Sequence, residues 1–239
     1  YFVIGTEALT GCSDTAFITL NVDPLPAISI SATANPICVG EFSTLTASGA
    51  DTYQWFEVGN GTAISTTANA FVNPSSTTDY FVVGTSTSTG CFDTSFITIT
   101  VNSNPAGFIS ASANPICLGD TAILSVNGLG AGVYTYQWFE VGNPSSIGSD
   151  STLAVNPLVD TDYEVNVTDT STTCTSSLFI TINVNSLPTI TANANPNPIC
   201  QGDTSTLSAG GGDTYQWFEV GNPASIGSGD SINISPSVD

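Results

Sequence analysis

The string YQWFEVGN occurs three times in the sequence, at residues 53–60, 136–143 and 215–222. Its tryptophans, Trp55, Trp138 and Trp217, are separated by 83 and then by 79 residues. A fixed period of this length is typical of a tandem array in which one small domain is repeated. The architecture of the unit can therefore be sought in the residues that recur around each tryptophan.

Two further landmarks keep the same period. The string NPIC ends at Cys38, Cys117 and Cys200. A tyrosine is followed 11 residues later by a cysteine in three places, which pair Tyr1 with Cys12, Tyr80 with Cys91 and Tyr163 with Cys174. Pro26, Pro105 and Pro188 mark the junctions between repeats. We predict a partial domain at 1–25, full domains at 26–104 and 105–187, and an incomplete domain at 188–239.

The two outer domains are interrupted at the same place in the repeat, since Asp239 aligns with Asp160. We interpret the chain as a three-repeat segment of a longer protein, because an open sheet edge is unstable by itself. The alternative is a subunit whose residues 1–25 complete the open domain of the next subunit. A fibre would then assemble by donor-strand exchange.

Composition restricts the class of partner. The 239 residues contain no Lys, Arg or His and 20 Asp plus Glu, for a formal net charge of -20. Nucleic acid and anionic lipid are excluded as partners, because binding phosphate groups needs cationic side chains. No apolar run reaches the roughly 18 residues of a membrane span, and we expect no membrane insertion. The six cysteines occur without His and without a CxxC pair, which favours disulfides in an exported protein over a zinc site.

Each repeat consists of short runs of alternating apolar and polar residues bounded by Gly, Pro, Asn, Asp and Ser. This pattern is typical of an all-β sandwich. In the first full domain it predicts strands at 28–34, 43–48, 52–58, 80–85 and 92–102, with a further pair within 63–73. The predicted fold is a tandem of immunoglobulin-like β-sandwich domains of about seven strands each.

The predicted core of each sandwich combines a tryptophan on the third strand, a leucine on the second and a tyrosine near the sixth. These residues are Trp55, Trp138, Trp217, Leu45, Leu124, Leu207, Tyr80 and Tyr163. Leu45 and Val82 occupy the positions that a disulfide links in antibody domains. An aromatic platform for sugars is the alternative role of this region, but strand alternation turns Phe56 away from Trp55.

The cysteines allow two pairings. Pairing within each repeat would join Cys38 with Cys91 and Cys117 with Cys174. Cys38 follows the first strand, whereas Cys91 follows the hairpin between the sixth and seventh strands, at the opposite end of the domain. A seven-residue strand is ~23 Å long, and a disulfide needs Cα atoms within about 7 Å. We therefore favour an inter-domain bond between Cys38 and Cys174, and pairing within repeats remains open if the first strand is displaced.

Taken together, NPIC with the glycine and acidic residue after it, YQWF, TDY and the TITV-type strand resemble a known family. It is that of the immunoglobulin-like tandem repeats in giant cell-surface adhesins of gliding bacteria, and the resemblance covers the whole chain. The family implies export to the cell surface, filamentous arrays and a role in adhesion or gliding. It also implies O-glycosylation at Asp followed by Ser or Thr, with Thr15, Thr121, Ser151 and Ser231 as candidate acceptors. A bare solvated turn is the alternative at these positions.

No catalytic set is found, because a serine nucleophile lacks a His, Lys or Arg base. The neighbouring carboxylates Asp160 and Asp162 have Thr77 and Asp79 as counterparts, so the pair is not maintained by the repeat. We predict no enzyme activity and no dedicated metal site. Calcium bound by junction aspartates such as Asp23 is the one cofactor hypothesis left open.

We therefore expect a structural segment of an extracellular adhesin or filament at the cell surface, which acts as a stiff, disulfide-stabilised stalk. Its expected partners are the neighbouring repeats of the same chain, and surface polysaccharide or other filament copies are further candidates. A carbohydrate-binding or spacer module of a secreted polysaccharide-degrading enzyme is the first alternative. The self-assembling fibre subunit is the second.

Overall fold

The computed structural model describes residues 1–236, and their regular structure consists of β-strands alone. Ser237, Val238 and Asp239 lie outside the described residues, and with them the end of the predicted 188–239 domain and the position aligned with Asp160. The chain divides into two compact units. The first contains Tyr1–Phe108, Gly128–Gln137 and Asn166–Leu178, and the second contains Ile109–Asn127, Trp138–Val165 and Phe179–Asp239. The predicted repeat boundaries stay a prediction.

Ten strands lie within Tyr1–Phe108. They are β1 (Phe2–Thr6), β2 (Ser13–Phe17), β3 (Ser29–Ala32), β4 (Ile37–Cys38), β5 (Ser43–Ser48), β6 (Thr52–Glu57), β7 (Asn69–Val72), β8 (Thr78–Thr85), β9 (Phe92–Ile99) and β10 (Val101–Asn102). One sheet has the order β3-β5-β7 and the other β6-β8-β9, while β4 pairs with β10 and β1 with β2. This order is that of an immunoglobulin-like sandwich, so the predicted all-β fold is confirmed.

The core of this sandwich follows from strand alternation. In β8, Tyr80 and Val82 point inward and are buried, whereas the alternate residues Phe81 and Val83 are half-buried. Trp55 on β6 is opposite Val82 and is completely buried. The buried cluster consists of Ile37, Leu45, Ala47, Trp55, Ala70, Val72, Tyr80, Val82 and Ile99. Apolar packing thus occupies the place where antibody domains carry their central disulfide.

The strand predicted at 28–34 is shorter in the structure, where only Ser29–Ala32 forms β3, and a second strand that was not predicted follows it on a different sheet. β3 pairs with β5 and ends at Ala32, whereas β4 runs parallel to β10. Between them the side-chain amide of Asn35 donates to the Thr98 carbonyl at 2.7 Å and accepts from the Thr100 amide at 3.0 Å. Pro36, which has no N–H, cannot extend the ladder of β3. The asparagine of NPIC therefore attaches the chain to the opposite sheet, a role that its recurrence in the sequence could have signalled.

The expected pair of strands within 63–73 is also modified. Only β7 is a regular strand there, and the other partner is a single bridge between Ser65 and Trp55. The side chains of Ser65 and Thr67 both donate to the Asn69 carbonyl, at 2.6 and 2.8 Å. These local bonds replace a strand ladder, which is the usual competition between hydroxyl side chains and β-structure.

The remaining strands repeat this arrangement. They are β11 (Phe108–Ala111), β12 (Ile116–Cys117), β13 (Ala122–Asn127), β14 (Tyr134–Glu140), β15 (Thr152–Val155), β16 (Thr161–Asp169), β17 (Thr175–Ile182), β18 (Val184–Asn185), β19 (Thr191–Asn195), β20 (Ser205–Gly210), β21 (Gln216–Phe218), β22 (Ser225–Ser228) and β23 (Ser231–Ile234). Sheets β11-β13-β15 and β14-β16-β17 have the order of the first sandwich, and so does β19-β20-β23. In the third repeat β21 pairs with β22.

The hairpin of β1 and β2 is exposed on both faces. Its register sets Phe2 opposite Phe17, which matches the register of Phe81 opposite Phe96 in β8 and β9. β1 and β2 are therefore the counterparts of β8 and β9. Val3, the counterpart of the buried Val82, is therefore exposed to solvent in this hairpin.

Candidate functional site

A disulfide joins Cys38 and Cys174, whose Cα atoms are 5.6 Å apart. Both residues belong to the first compact unit, although they lie in successive sequence repeats and are 136 positions apart. Cys91 and Cys117, the partners that pairing within each repeat would require, are free thiols. The chain therefore contains the bond that links one repeat to the next.

The strand register explains why Cys38 does not reach Cys91. Cys38 is paired with Asn102 on β10, while Cys91 directly precedes β9 at the other end of the same edge. The backbone from residue 91 to residue 102 spans roughly 36 Å when it is extended, against the roughly 7 Å limit of a disulfide. The two cysteines of one repeat consequently lie at opposite ends of it.

The three NPIC cysteines occupy the same type of turn. Glu41 donates its amide to the Cys38 carbonyl at 3.0 Å, and its carboxylate accepts the Cys38 amide at 2.9 Å. The amide of Asp120 donates to Cys117 at 2.9 Å and that of Asp203 to Cys200 at 3.0 Å. The glycine between them has a positive φ in each case, which explains the Cys-X-Gly-acid spacing.

The other three cysteines share a hairpin turn. The Cys174 carbonyl accepts the Asp169 amide at 2.9 Å, the Cys91 carbonyl accepts the Ser86 amide at 2.9 Å, and the Cys12 carbonyl accepts the Glu7 amide at 2.8 Å. Cys12, Cys117 and Cys200 are exposed, Cys91 is half-buried, and Cys174 in its disulfide is completely buried. Each of the two full repeats thus carries two preformed cysteine turns.

The structure distinguishes the residues predicted to form the core. Trp55, Trp138, Leu45, Leu124, Tyr80 and Tyr163 are buried, whereas Trp217 and Leu207 are only half-buried. Burial raises the pKa of Tyr80 and Tyr163 above the ordinary 10.0, and the negative charges of Glu57 and Glu140 act in the same direction. These phenols are structural groups in the sandwich and stay protonated at neutral pH.

An aromatic ladder covers the outer face of the sheet β6-β8-β9. Phe56 stacks on Phe81 with ring centroids 5.0 Å apart, and Phe81 is 5.7 Å from Phe96. Phe96 is 69% exposed, and all three rings lie on the face opposite to Trp55. In the second repeat the middle position is Glu164, so a carboxylate interrupts the series. Strand alternation in the sequence predicted that Phe56 points away from Trp55, but it did not predict the aromatic ladder.

Three carboxylates accept hydrogen bonds from remote segments of the chain. Asp160 accepts the Val184 amide at 2.7 Å and Asp162 accepts the Thr181 hydroxyl at 2.5 Å. Asp51 accepts both the amide and the hydroxyl of Thr87, at 2.7 and 3.0 Å, and these bonds hold the pKa of its carboxyl below 3.8. Among residues 1–236 no three metal-ligating side chains cluster, so the calcium hypothesis gains no support. Asp23 is exposed.

The four candidate glycosylation acceptors, Thr15, Thr121, Ser151 and Ser231, are exposed. Their accessibility is compatible with modification and with a bare turn, so the glycan hypothesis stays a prediction. In the part of the chain that the structure describes, no helix has the length and apolar character needed to cross a membrane.

The strand order defines this chain as an immunoglobulin-like β-sandwich protein. Residues 25–105, which contain the first full sandwich, match the family described as "Ig-like domain CHU_C associated", and this match supports an Ig-like repeat family. No curated protein matches the sequence.

Three of the solved structures to which this chain is similar are the following. The fibronectin(III)-like modules of Clostridium thermocellum CbhA are 12% identical over 66% of this chain and 95% of theirs, with a TM-score of 0.33. Three domains of the bacteriophage RB49 Highly Immunogenic Outer Capsid protein are 17% identical over 89% and 84%, with a TM-score of 0.35. Murine CEACAM1b is 11% identical over 67% and 100%, with a TM-score of 0.32. The fold assignment rests on the strand order itself.

Proposed function

We propose that this chain is a structural repeat segment of an extracellular cell-surface adhesin or filament, in which it acts as a stiff, disulfide-stabilised stalk in adhesion or gliding. The observation that carries the proposal is the Cys38–Cys174 bond between successive repeats. A bond of this kind removes freedom at a junction that would otherwise bend, since contacts between neighbouring domains are commonly small. Stiffness along the array is the expected consequence.

The bond also determines how a pulling force is transmitted along the chain. Residues 39–173 lie inside the loop that the disulfide closes. A force applied to the two chain ends passes through the sulfur atoms and does not extend this loop. A stalk that transmits tension to a distant tip would use the bond to keep the enclosed strands folded.

The remaining features agree with a structural role outside the cell. Immunoglobulin-like sandwiches are typically non-catalytic and typical of extracellular proteins, and disulfides persist in oxidising compartments. The carboxylates of Asp160, Asp162 and Asp51 accept hydrogen bonds from remote segments of the chain, and we propose that the chain has no enzyme activity. A uniform negative charge favours an extended array, because like charges on neighbouring domains repel each other.

Single-molecule stretching tests the stalk. With the bond intact we expect the fully unfolded chain to be shorter by roughly 470 Å, which is the extended length of the 136 positions in the loop. Reductant or Cys38→Ser restores the full length, whereas Cys12→Ser, which alters a free thiol, leaves the shorter length. Full length without reductant contradicts the proposal. The same chain should show no polysaccharide hydrolysis.

Carbohydrate binding is the second candidate, and the exposed ladder of Phe56, Phe81 and Phe96 favours it. Aromatic side chains offer large apolar surfaces. In this ladder the ring of Phe81 is stacked on Phe56 at an interplanar angle of 14° and is tilted by 37° against Phe96. On an array of surface polysaccharides, specific micromolar binding that is lost in Phe81→Glu would replace the stalk by this function. Phe81→Glu copies the natural Glu164 of the second repeat, so it is compatible with the fold.

Self-assembly by strand donation is the third candidate. The exposed hairpin of β1 and β2 has the register of β8 and β9, and the third repeat has no counterpart of those strands among the described residues. Light scattering of the reduced chain over a concentration series tests it. Growth into fibres that Phe2→Asp prevents would support strand donation, and a monomer at all concentrations would contradict it.

A further inference from the structure

Four cysteines remain free in this chain, and one rule accounts for all of them. We propose that every NPIC cysteine forms a disulfide with the hairpin cysteine of the following repeat, so that an array of these repeats carries a continuous disulfide ladder. The inference deepens the proposed stalk and rests on it, and it identifies the partner of each free thiol as a neighbouring repeat. Cys38–Cys174 is the one step of the ladder that the chain contains in full.

The rule follows from the positions of the bonded pair. Cys38 is the NPIC cysteine of the first full repeat and Cys174 the hairpin cysteine of the second. By the same step, Cys117 requires the hairpin cysteine of the third repeat, and Cys200 requires that of a fourth repeat. Cys91 and Cys12 require NPIC cysteines on the N-terminal side. None of these partners is among the 239 residues, which is why these four thiols are free while Cys38 and Cys174 are bonded.

Local geometry supports the equivalence of the steps. The three NPIC cysteines are held by the same Cys-X-Gly-acid turn, and the three hairpin cysteines by the same backbone bond five residues upstream. β12 pairs in parallel with β18 in the register that β4 has with β10, which sets Cys117 opposite Asn185 as Cys38 is opposite Asn102. Each free cysteine therefore has the same local backbone hydrogen bond as Cys38 or Cys174, which are already joined.

The chemistry of each step is thiol–disulfide exchange with a small-molecule disulfide. The two protein thiols lose two protons and two electrons as the sulfur–sulfur bond forms. Oxidised glutathione accepts them and is cleaved to two molecules of reduced glutathione. The free thiols are exposed at Cys12, Cys117 and Cys200 and half-buried at Cys91, so this exchange can reach them.

A tandem of two copies of the whole chain tests the ladder. The linker is Thr-Asp, because these two residues separate Asp160 from Tyr163 in the second repeat and Asp239 aligns with Asp160. After folding in a glutathione redox buffer, free thiols are counted with Ellman's reagent in denaturant. The ladder predicts four free thiols in the single chain and again four in the tandem, although the tandem has twelve cysteines. The new bonds join Cys117 and Cys200 of the first copy to Cys12 and Cys91 of the second.

Other numbers of free thiols in the tandem would contradict the proposal. Eight free thiols in the tandem would mean that only the Cys38–Cys174 step forms, and two would mean pairing within each repeat. A matched pair of variants sharpens the count. Cys12→Ser in the second copy should raise the free thiols from four to five, because it removes the partner of Cys117. The same substitution in the first copy should lower them to three.

Failure of the ladder is distinguishable from failure of the stalk. The stretching and polysaccharide experiments use the single chain, whose one disulfide does not depend on further repeats. A count of eight in the tandem with a shortened single chain would reject the ladder and leave the stalk in place. Chymotryptic peptides joined through Cys117 and Cys12 provide a direct check, since trypsin has no Lys or Arg to cleave.

Discussion

The same eight letters, YQWFEVGN, produce two different structures in the first and third repeats. In the first, β6 is six residues long, pairs with β8 and leaves Trp55 completely buried. In the third, β21 is three residues long, pairs with β22 and leaves Trp217 half-buried. The partner strand therefore determines whether the tryptophan belongs to a core, and the string alone does not.

The largest expected effect comes from removing each tryptophan. Trp55→Ala should lower the free energy of unfolding of its sandwich by about 4 kcal/mol, because it leaves a large cavity in a closed core. Trp217→Ala should cost about 1 kcal/mol, because the half-buried side chain leaves less of a cavity. Urea titration followed by hydrogen-exchange mass spectrometry measures each repeat separately. Equal losses of unfolding free energy in the two variants would contradict the proposed difference in burial between the first and third repeats.

Adding counterparts of β8 and β9, which the described part of the third repeat does not contain, should convert the third repeat into the first. Residues 78–102 placed after Asp239 should pair with β21, bury Trp217 and stabilise the repeat by about 2 kcal/mol from the area removed from water. The measurement is acrylamide quenching of Trp217 in a chain with Trp55→Phe and Trp138→Phe. The control carries aspartate in place of the added copy of Val82, the residue opposite the tryptophan, and should keep Trp217 accessible to the quencher.

A smaller effect is expected when the two buried tryptophans, Trp55 and Trp138, are each replaced by phenylalanine, because the two losses of unfolding free energy should differ. Trp138 donates its Nε1–H to the Asp150 carbonyl at 2.8 Å, whereas the buried Nε1 of Trp55 has no acceptor among the described residues. Trp138→Phe should therefore cost about 1 kcal/mol more than Trp55→Phe, because only the former breaks a hydrogen bond. Urea unfolding of the two variants gives the difference. A greater loss for Trp55→Phe would show that its N–H is satisfied in solution.

The smallest expected effect is a dependence of the free energy of unfolding on pH in the acid range. Thr87 holds the pKa of Asp51 below its unfolded value of 3.8, so the bond stabilises the fold above that pH. This stabilisation is lost as the pH falls below 3.8 through the lowered pKa. Asp51→Asn should remove that part of the pH profile of unfolding between pH 6 and 2. Asp213→Asn alters the same position before the third YQWF string, where the described residues include no counterpart of Thr87, and is the matched control that leaves the Asp51–Thr87 bond intact.

Much of the fold could be predicted from local pattern. The alternation of residue types along β8 and β9 predicted which face of the sheet is buried. The repeat spacing of Trp55 and Trp138 predicted the positions of two hydrophobic cores. The split of the first strand could not be predicted in this way, since Asn35 is held by Thr98 and Thr100, more than 60 positions away. The aromatic ladder was missed for a related reason. Phe56, Phe81 and Phe96 come together only through the register of three strands.

The sequence by itself determined the repeat, the all-β class and the inward orientation of each tryptophan, because these depend on alternation over neighbouring residues. The tertiary structure decided which tryptophan is buried and which cysteines are joined. Burial of Trp55 needs the partner strand that carries Val82, and the Cys38–Cys174 bond needs two Cα atoms 136 positions apart to lie 5.6 Å from each other. Both are distances between remote segments, and a local pattern of residues does not specify them.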